Sequence, residues 1–297
     1  MAIERPTERR PGEIVASEEE TYRQTYSASG LEEHVVVETF ISPLLEGLPN
    51  NVIEILYYSA TEMLNNAIDH SEGGKIDVIV IRNPVEIQIW IVDDGIGIFN
   101  KIKKVLQLDD PRDTILELCK GKLTTDPTHH TGEGIFFTSR ACDGFYIISG
   151  TLRFGRMDET DWLVEAEAQL RKGTAVSMQV RRNCPKTLEE TFKRFTADDE
   201  EFGFTRTIVP ISIAEYGPDG LISRSKAKRV VNRFGKFKEV ILDFDNVESI
   251  GQAFADEIFR VFESAHPDVH ISVINANQSV VRMIRRAASN KPDGPIT

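Results

Sequence analysis

Residues 75–94 contain two runs in which apolar and polar side chains alternate strictly, "KIDVIVIRN" and "VEIQIWIVDD". A period of two places alternate side chains on the same face of a β-strand. A short turn at Asn83-Pro84 joins the two runs. The pattern therefore predicts an antiparallel hairpin with one face against a core.

A long helix, "NNVIEILYYSATEMLNNAIDHS", precedes the hairpin and stops at a pair of glycines. Four of its polar residues share one helical face because they stand four, three and one residue apart: Glu62, Asn66, Asp69 and His70. A solvated face explains such a stripe. Asparagine and aspartate are poor helix formers, however, and a strand follows directly, so a face that lines a cleft is the second interpretation.

Helices and strands are mixed in the rest of the first 182 residues. A helix interrupted near Pro43 comes first. Further helices are predicted at about 98–107, 111–119 and 135–143, and further strands at 144–156, 162–170 and 173–180. The polar stretch "KGKLTTDPTHHTGEG" is long for a connector, which favours a functional lid at about 120–133.

The domain organisation follows from the change of pattern along the chain. Strands and helices alternate three times over residues 207–297, which predicts a compact α/β module. The charged stretch 183–206 is interpreted as a linker that contains a helix. Residues 1–29 are interpreted as a flexible arm, because their first half combines charges with prolines. The first domain is therefore expected over residues 30–182.

Composition excludes several classes of function. The formal net charge of −12 argues against general nucleic-acid binding. Cys119, Cys142 and Cys184 lack a metal-like spacing and are interpreted as reduced, structural thiols of a cytosolic protein. No apolar run approaches the roughly 18 residues of a membrane span, and the N-terminal residues carry no secretion signal. A cytoplasmic location without membrane attachment is expected.

Three short motifs follow the long helix in order. They comprise Asp93 with Gly95 and Gly97, then Gly132 with Gly134, and finally Gly173 with Thr174. Glycines after a strand let the backbone approach a ligand closely, and glycines before a helix open its N-terminal N–H groups to phosphates. Each motif alone is weak evidence, because Asp-Gly is also a common turn and a threonine also begins ordinary strands.

The order of the motifs is more specific. Glu-x-x-x-Asn on a helix, two strands and the three motifs above resemble the boxes of the Bergerat-fold (GHKL) ATPases and kinases. That superfamily contains gyrase, Hsp90, MutL, histidine kinases and the anti-sigma-factor kinases, and "NAIDHS" is most similar to the last group and related small ATPases. The likeness covers about residues 30–182. It implies an α/β protein in which a two-layer α+β sandwich binds ATP and a smaller α/β module follows.

The resemblance implies roles for the matched residues. Asn66 matches the asparagine that holds Mg²⁺ against the phosphates, and Glu62 matches the general base. Asp93 matches the aspartate that reads the adenine amine. The remaining matched positions would shape the pocket or meet the nucleotide: Asp69, Gly95, Gly97, Lys122, Gly132, Gly134 and Thr174.

Two further assignments remain open in the sequence. Lys120 and Lys122 are candidates to neutralise the γ-phosphate from the lid, although solvated lid lysines fit equally. His70 is a candidate to orient Glu62, or else a structural residue.

The C-terminal module contains "KEVILDFDNVESIGQAFADEIFRVF", which resembles STAS domains. It looks most like the STAS-like domain of unknown function that some bacterial proteins carry behind a Bergerat ATPase. Anti-sigma kinases phosphorylate a separate STAS partner on a serine at the start of the next helix. Here Gln252 and Ala253 stand in that region, and Ser249 precedes the helix, so the usual acceptor is missing. The resemblance implies a protein partner or homo-oligomer formed through this module.

Three functions follow as alternatives. The first is a slow, Mg²⁺-dependent ATPase whose nucleotide state the STAS-like module reads as a regulatory switch. The second is a serine/threonine kinase of anti-sigma type that acts on a separate protein, and the third is a nucleotide-binding interaction protein without turnover. Glu62 favours turnover. A histidine kinase is not expected, because His34 lacks a helical hairpin around it.

Residues 224–238, "RSKAKRVVNRFGKFK", contain seven basic residues, which the sequence leaves as a candidate contact for nucleic acid. Lysine and arginine at these spacings are more often a solvated helix face, and that is the interpretation we favour. No helix-turn-helix pattern is found ahead of the ATPase-like region.

Overall fold

The computed structural model of the chain describes residues 19–124, 132–197, 203–217 and 220–289. Within them, a seven-stranded antiparallel sheet is followed by a three-stranded parallel sheet. The strands are β1 Glu20–Ser27, β2 Lys75–Arg82, β3 Glu86–Asp93, β4 Gly144–Gly150, β5 Leu152–Met157, β6 Thr160–Glu165, β7 Arg171–Arg181, β8 Arg206–Pro210, β9 Glu239–Asp243 and β10 His270–Ile274.

The helices alternate with these strands and differ widely in length. They are α1 Glu33–Val36, α2 Asn50–His70, α3 Ile98–Leu106, α4 Asp113–Lys120, α5 Gly134–Ala141, α6 Leu188–Arg194, α7 Arg224–Val231, α8 Gln252–Asp256, α9 Glu263–Ala265 and α10 Gln278–Ala288. After α1 the chain continues through a π turn and a 3-10 turn that contains Pro43. Among the described residues, no helix is both long enough and apolar enough to cross a bilayer.

The first sheet has the strand order β1-β2-β3-β7-β4-β5-β6. Its predicted hairpin is confirmed, since β2 and β3 pair antiparallel with Ile79 opposite Trp90. Alternate residues of the hairpin, such as Val78 and Ile89, are fully buried, and α2 packs on β3 and β7. Alternation along the strands therefore produces one face that α2 covers, and α5 lies beside α2 on the same layer.

The second sheet contains β10, β9 and β8 in that order, and all three strands are parallel. Parallel neighbours need a crossover connection, which α7 provides between β8 and β9 and α8 with α9 provides between β9 and β10. The predicted alternation of three strands and three helices is confirmed. The chain is thus a mixed α/β protein with a large antiparallel sheet and a smaller parallel one.

Two of the expected segment boundaries are wrong. The flexible arm expected over residues 1–29 includes β1, whose eight residues pair with β2 along their whole length; residues 1–18 lie outside the described residues. Sequence reasoning missed β1 because "ETYRQTYS" is polar on one face and carries only two tyrosines on the other. The lid expected at 120–133 begins later, since α4 runs through Lys120, and residues 125–131 lie outside the described residues.

The stretch 183–206, expected to be a linker, contains the predicted helix but is also part of the core. Phe195 and Phe204 are 1% and 5% exposed. Their ring centroids lie 4.8 and 4.4 Å from that of Phe136 on α5. Phe204 also lies against Phe237 of the C-terminal module, at 5.3 Å. The two domains therefore share a buried aromatic cluster.

The basic stretch 224–238 is another part of this contact. Arg229 lies 3.3 Å from Asp113 and Arg233 lies 2.7 Å from Glu117, both of which are on α4 of the first domain. The expectation of a solvated face is wrong for Arg233, which is 10% exposed, whereas Arg229 is 37% exposed and remains partly solvated. Their charges pair with acidic residues of the same chain, which leaves them poorly placed to meet nucleic acid.

All three cysteines are buried thiols. Burial raises the pKa of the Cys142 thiol to about 12, because it disfavours the charged thiolate. A thiol of this kind is a poor nucleophile and metal ligand. Their interpretation as structural residues agrees with these surroundings.

Candidate functional site

Two adjoining cavities are lined in part by α2, and the first of them also by the sheet. The first is lined by residues of α2, β3, α3 and β7. The second is lined by residues of α2, the end of α4 and the start of α5. Asn66 and Gly132 line both cavities, so we describe them as the first and second lobes of one cleft.

The polar stripe of α2 follows this cleft. Glu62 lines the second lobe, Asn66 lines both and His70 lines the first. Asp69 is exposed and is not among the residues that line either lobe. Glu62 and His70 are eight residues apart, about 12 Å along the helix axis. This separation argues against His70 as a residue that orients Glu62.

Asp93 forms the polar floor of the first lobe. It ends β3 and is 6% exposed. Its Oδ1 accepts hydrogen bonds from the backbone N–H groups of Gly95, at 2.9 Å, and Thr174, at 3.1 Å. Burial raises the pKa of the Asp93 carboxyl, and the two N–H donors oppose that change. Both bonds end on one oxygen, so Oδ2 takes part in neither of them.

Thr174 supports this floor rather than the second lobe. Its Oγ1 accepts a hydrogen bond of 3.0 Å from the backbone N–H of Ile98, the first residue of α3. The side chain thereby satisfies one of the free N–H groups at the start of that helix. These contacts favour a structural role for Thr174 at the Asp93 strand end over the contact with a phosphate that was also considered.

Gly97 precedes α3 with a φ of 86°, which side-chain-bearing residues rarely adopt. A methyl group there would also collide with the Ser149 hydroxyl, which donates to Gly173 O at 2.9 Å. We predict that Gly97→Ala lowers the free energy of unfolding by about 1–3 kcal/mol. Urea denaturation measures this change.

Gly150 supplies the matched control for that prediction. Its φ is also positive, at 61°, but nothing lies within 4 Å of the position that a methyl group would take. Gly150→Ala therefore tests backbone strain without a collision, and we expect it to be the milder of the two substitutions. Equal unfolding midpoints for Gly97→Ala and the unchanged protein would contradict the prediction.

The second lobe is acidic and lies at the start of α5. A side chain at Gly134, the first residue of α5, would collide with the Glu62 carboxylate, so glycine permits this close approach. Glu133 lines the same lobe, and burial raises the pKa of its carboxyl. Two carboxylates facing one lobe repel a polyanion unless a cation accompanies it.

The residues of this lobe fit Mg²⁺ only in combination with a ligand. Among the described residues, no group of three or more His, Cys, Asp or Glu residues is positioned to hold a metal ion. Asn66 supplies an amide oxygen between the lobes. Mg²⁺ commonly uses one or two protein oxygens and completes its shell with phosphate oxygens and water. The Asn66 amide oxygen is compatible with this coordination of Mg²⁺ by one protein oxygen, phosphate oxygens and water.

The two lysines expected in the lid have other partners. Lys120 is fully buried, and its Nζ donates to Glu117 Oε1 at 2.7 Å and to Arg229 O at 2.8 Å. Neither role considered for Lys120, a partner of the γ-phosphate or a solvated lid residue, is correct, because these contacts bury its ammonium group away from the cleft. The Nζ of Lys122 donates to Lys236 O at 2.9 Å and lies 4.9 Å from the centroid of the Phe237 ring.

Lys101 is a polar residue of the cleft that sequence reasoning missed. It lies on α3 and lines the first lobe. Its Nζ donates to His70 O at 2.8 Å and lies 3.6 Å from Glu72. A single lysine on an amphipathic helix carries no signal of such a position, because the contact depends on how α3 meets the end of α2.

The parallel order of β8, β9 and β10 and the helices between them define the C-terminal module. Residues 226–281 match the family model of the STAS-like domain of unknown function (DUF4325). The match extends from α7 into the first turn of α10 and confirms the STAS-like domain expected there. No curated protein matches the chain. The resemblance of residues 30–182 to Bergerat-fold ATPases stays a prediction.

Proposed function

We propose that this protein binds Mg-ATP, hydrolyses it slowly and acts as a nucleotide-controlled switch that the STAS-like domain reads. One observation carries the proposal: motifs spread over residues 62–174 line one cleft. Asp93 and Thr174 lie in its first lobe, Glu62 and Gly134 lie in its second, and Asn66 lies in both. This order along the cleft matches the order in which the adenine, the magnesium ion and the phosphates of bound Mg-ATP would lie.

The first lobe suits an adenine ring. Its walls are mostly apolar, and they include Met63, Ile91, Ile98, Ile102 and Val176. A flat aromatic ring gains from burial between such side chains. The Asp93 carboxylate provides an acceptor for the exocyclic amine of adenine, where guanine has a carbonyl oxygen. This difference favours ATP over GTP.

The second lobe suits the triphosphate. Mg²⁺ held by Asn66 would neutralise part of the phosphate charge. The first N–H groups of α5, which by helix geometry lack partners within the helix, lie beside the same lobe and favour anions. Glu62 is then the base: it takes a proton from water as the water oxygen bonds to the γ-phosphorus and ADP leaves with the electron pair of the broken P–O bond. The products are ADP and phosphate.

The STAS-like domain is suited to respond to the cleft because it contacts one wall directly. Leu118, on α4, lines both lobes. On the same helix, Glu117 precedes Leu118 directly and contacts Arg233 of the STAS-like domain, and Lys120 follows two residues later and contacts Asn232. A shift of α4 on nucleotide binding is therefore transmitted to that domain through packed side chains.

The proposal is tested by incubating the purified protein with γ-labelled ATP and Mg²⁺. We expect slow release of labelled phosphate and loss of ATP binding when EDTA removes the metal, because the two carboxylates of the second lobe then repel the triphosphate. Label on a co-purifying protein would support the kinase alternative. Bound but unconsumed ATP would support an interaction protein, and no binding at all would overturn the proposal.

A further inference from the structure

The C-terminal end of α4 is completed by residues from elsewhere in the chain. The last four C=O groups of a helix lack partners within the helix and need other donors. In α4, Leu118 O accepts from the N–H of Gly121, and Cys119 O accepts from Nη2 of Arg140, both at 3.1 Å. The two remaining carbonyls belong to Glu117 and Lys120.

Both remaining carbonyls take their donors from the C-terminal module. The Nη1 group of Arg233 donates to Glu117 O at 3.3 Å, and Oγ1 of Thr207 on β8 donates to Lys120 O at 2.8 Å. The Nη2 group of Arg233 also donates to Gly121 O at 2.6 Å. A cation at the end of a helix has the additional favourable interaction with the helix dipole.

The contact of Arg233 with α4 is buried and charged. Its side chain is 10% exposed, and its Nη1 lies 2.7 Å from Oε2 of Glu117, whose side chain is 3% exposed. Lys120 also lies 2.7 Å from the Glu117 carboxylate. Separation of the domains would leave this carboxylate with one cation instead of two, so docking of the STAS-like domain and the position of α4 depend on each other.

The end of α4 leads directly into the wall shared by the two lobes. Gly121 turns the chain out of the helix with a φ of 80°. Two residues later, the N–H of Leu123 donates to Gly132 O at 3.1 Å. Leu118, Leu123 and Gly132 line both lobes. Arg233 therefore contacts the chain at Gly121, only two residues before Leu123. Leu123 belongs to the wall against which a nucleotide would lie.

We propose that Arg233 is a positioning residue for the nucleotide cleft. It caps α4 from the STAS-like domain and sets the wall formed by Leu118 and Leu123, although it lines neither lobe itself. The inference rests on the proposed function and specifies how the STAS-like domain regulates that site. By linkage, nucleotide binding strengthens the docking of this domain by the same factor by which docking strengthens nucleotide binding.

The test compares Arg233→Met with Arg224→Met in the full chain. Arg224 belongs to the same domain, but its ion pairs, with Asp256 at 3.5 Å and Glu257 at 3.2 Å, stay within that domain. We expect Arg233→Met to bind a fluorescent, non-hydrolysable ATP analogue about 5- to 20-fold more weakly, and Arg224→Met to differ from the unchanged protein by less than about twofold.

Hydrogen exchange of residues 121–124 adds a readout that does not depend on nucleotide. The Leu123 N–H should exchange faster in Arg233→Met and at the parent rate in Arg224→Met, while the amides of β3 stay protected in both. Arg233→Lys keeps a cation at the helix end but not the forked contact with two carbonyls. We expect its affinity to lie between those of the unchanged protein and Arg233→Met.

Thr207→Val serves as a second test if Arg233→Met fails to fold. Valine has nearly the same shape as threonine, so the substitution removes the hydrogen bond to Lys120 O with little change in packing. We expect about a two- to fivefold loss of affinity. If the unchanged protein binds the analogue and both Arg233→Met and Thr207→Val bind it equally well, the inference fails while the proposed function stands. If the unchanged protein does not bind it, the proposed function fails, and the inference fails with it.

Discussion

Glu62→Gln should leave Mg-ATP bound and lower its turnover by about 10²–10⁴-fold, which is the usual contribution of a general base. Glutamine keeps the shape of the side chain beside Gly134 but accepts no proton. Because the substitution also removes one carboxylate from the acidic lobe, we expect binding at least as tight as that of the unchanged protein. Phosphate release and analogue titration together measure both effects.

Glu54→Gln is the matched control for this substitution. Glu54 is exposed on α2, two turns before Glu62, and does not line either lobe of the cleft as described. Asn66→Ala supplies the contrasting variant, since loss of the proposed magnesium ligand should weaken Mg-ATP binding. Parent-rate hydrolysis by Glu62→Gln would show that water is activated elsewhere. Equal loss of binding in Glu62→Gln and Asn66→Ala would show that the polar face of α2 maintains the fold.

Asp93→Asn should weaken ATP binding by about 1–3 kcal/mol, or roughly 5- to 150-fold. The substitution keeps the size of the side chain. The N–H groups of Gly95 and Thr174 hold the one amide oxygen, so the amide nitrogen faces the ligand. A donor then meets the adenine amine, where an acceptor is needed. Titrations with ATP and GTP analogues measure this change, and the preference for ATP should decrease.

The next residue provides a control of the same chemistry. Asp94 accepts hydrogen bonds from the N–H groups of Gly74, at 2.8 Å, and Lys75, at 3.0 Å, and it is not among the residues that line the first lobe. Asp94→Asn should therefore leave the ATP affinity close to that of the unchanged protein. If Asp93→Asn and Asp94→Asn bind ATP equally tightly, Asp93 does not read the base.

Local pattern was sufficient to predict the elements that carry the candidate site. The alternating runs of 75–94 gave β2 and β3, because one face of each strand is buried and the other is not. The spacing of polar residues on α2 placed Glu62, Asn66 and His70 on the face that lines the cleft, whereas Asp69, expected with them, is exposed outside it. These predictions depend on periods of two and 3.6 residues, which the sequence displays directly.

Contacts between distant segments were not predictable in the same way. Lys120 reads as a lid residue, yet it is fully buried because its partners include backbone carbonyls more than 100 residues further along the chain. The same holds for Phe195 and Phe204, which lie in a charged stretch but pack on α5. Burial of such residues depends on how the two domains meet, and no local pattern encodes that arrangement.

β1 has a practical consequence for work with the first domain alone. The domain boundary suggested by the sequence falls at residue 30, and a protein cut there would lose the strand that pairs with the whole of β2. The outer N–H and C=O groups of β2 would then be open beside the apolar side chains of "KIDVIVIR". An open strand of this kind recruits strands from other molecules and promotes aggregation. A fragment for binding studies should therefore begin before Glu20.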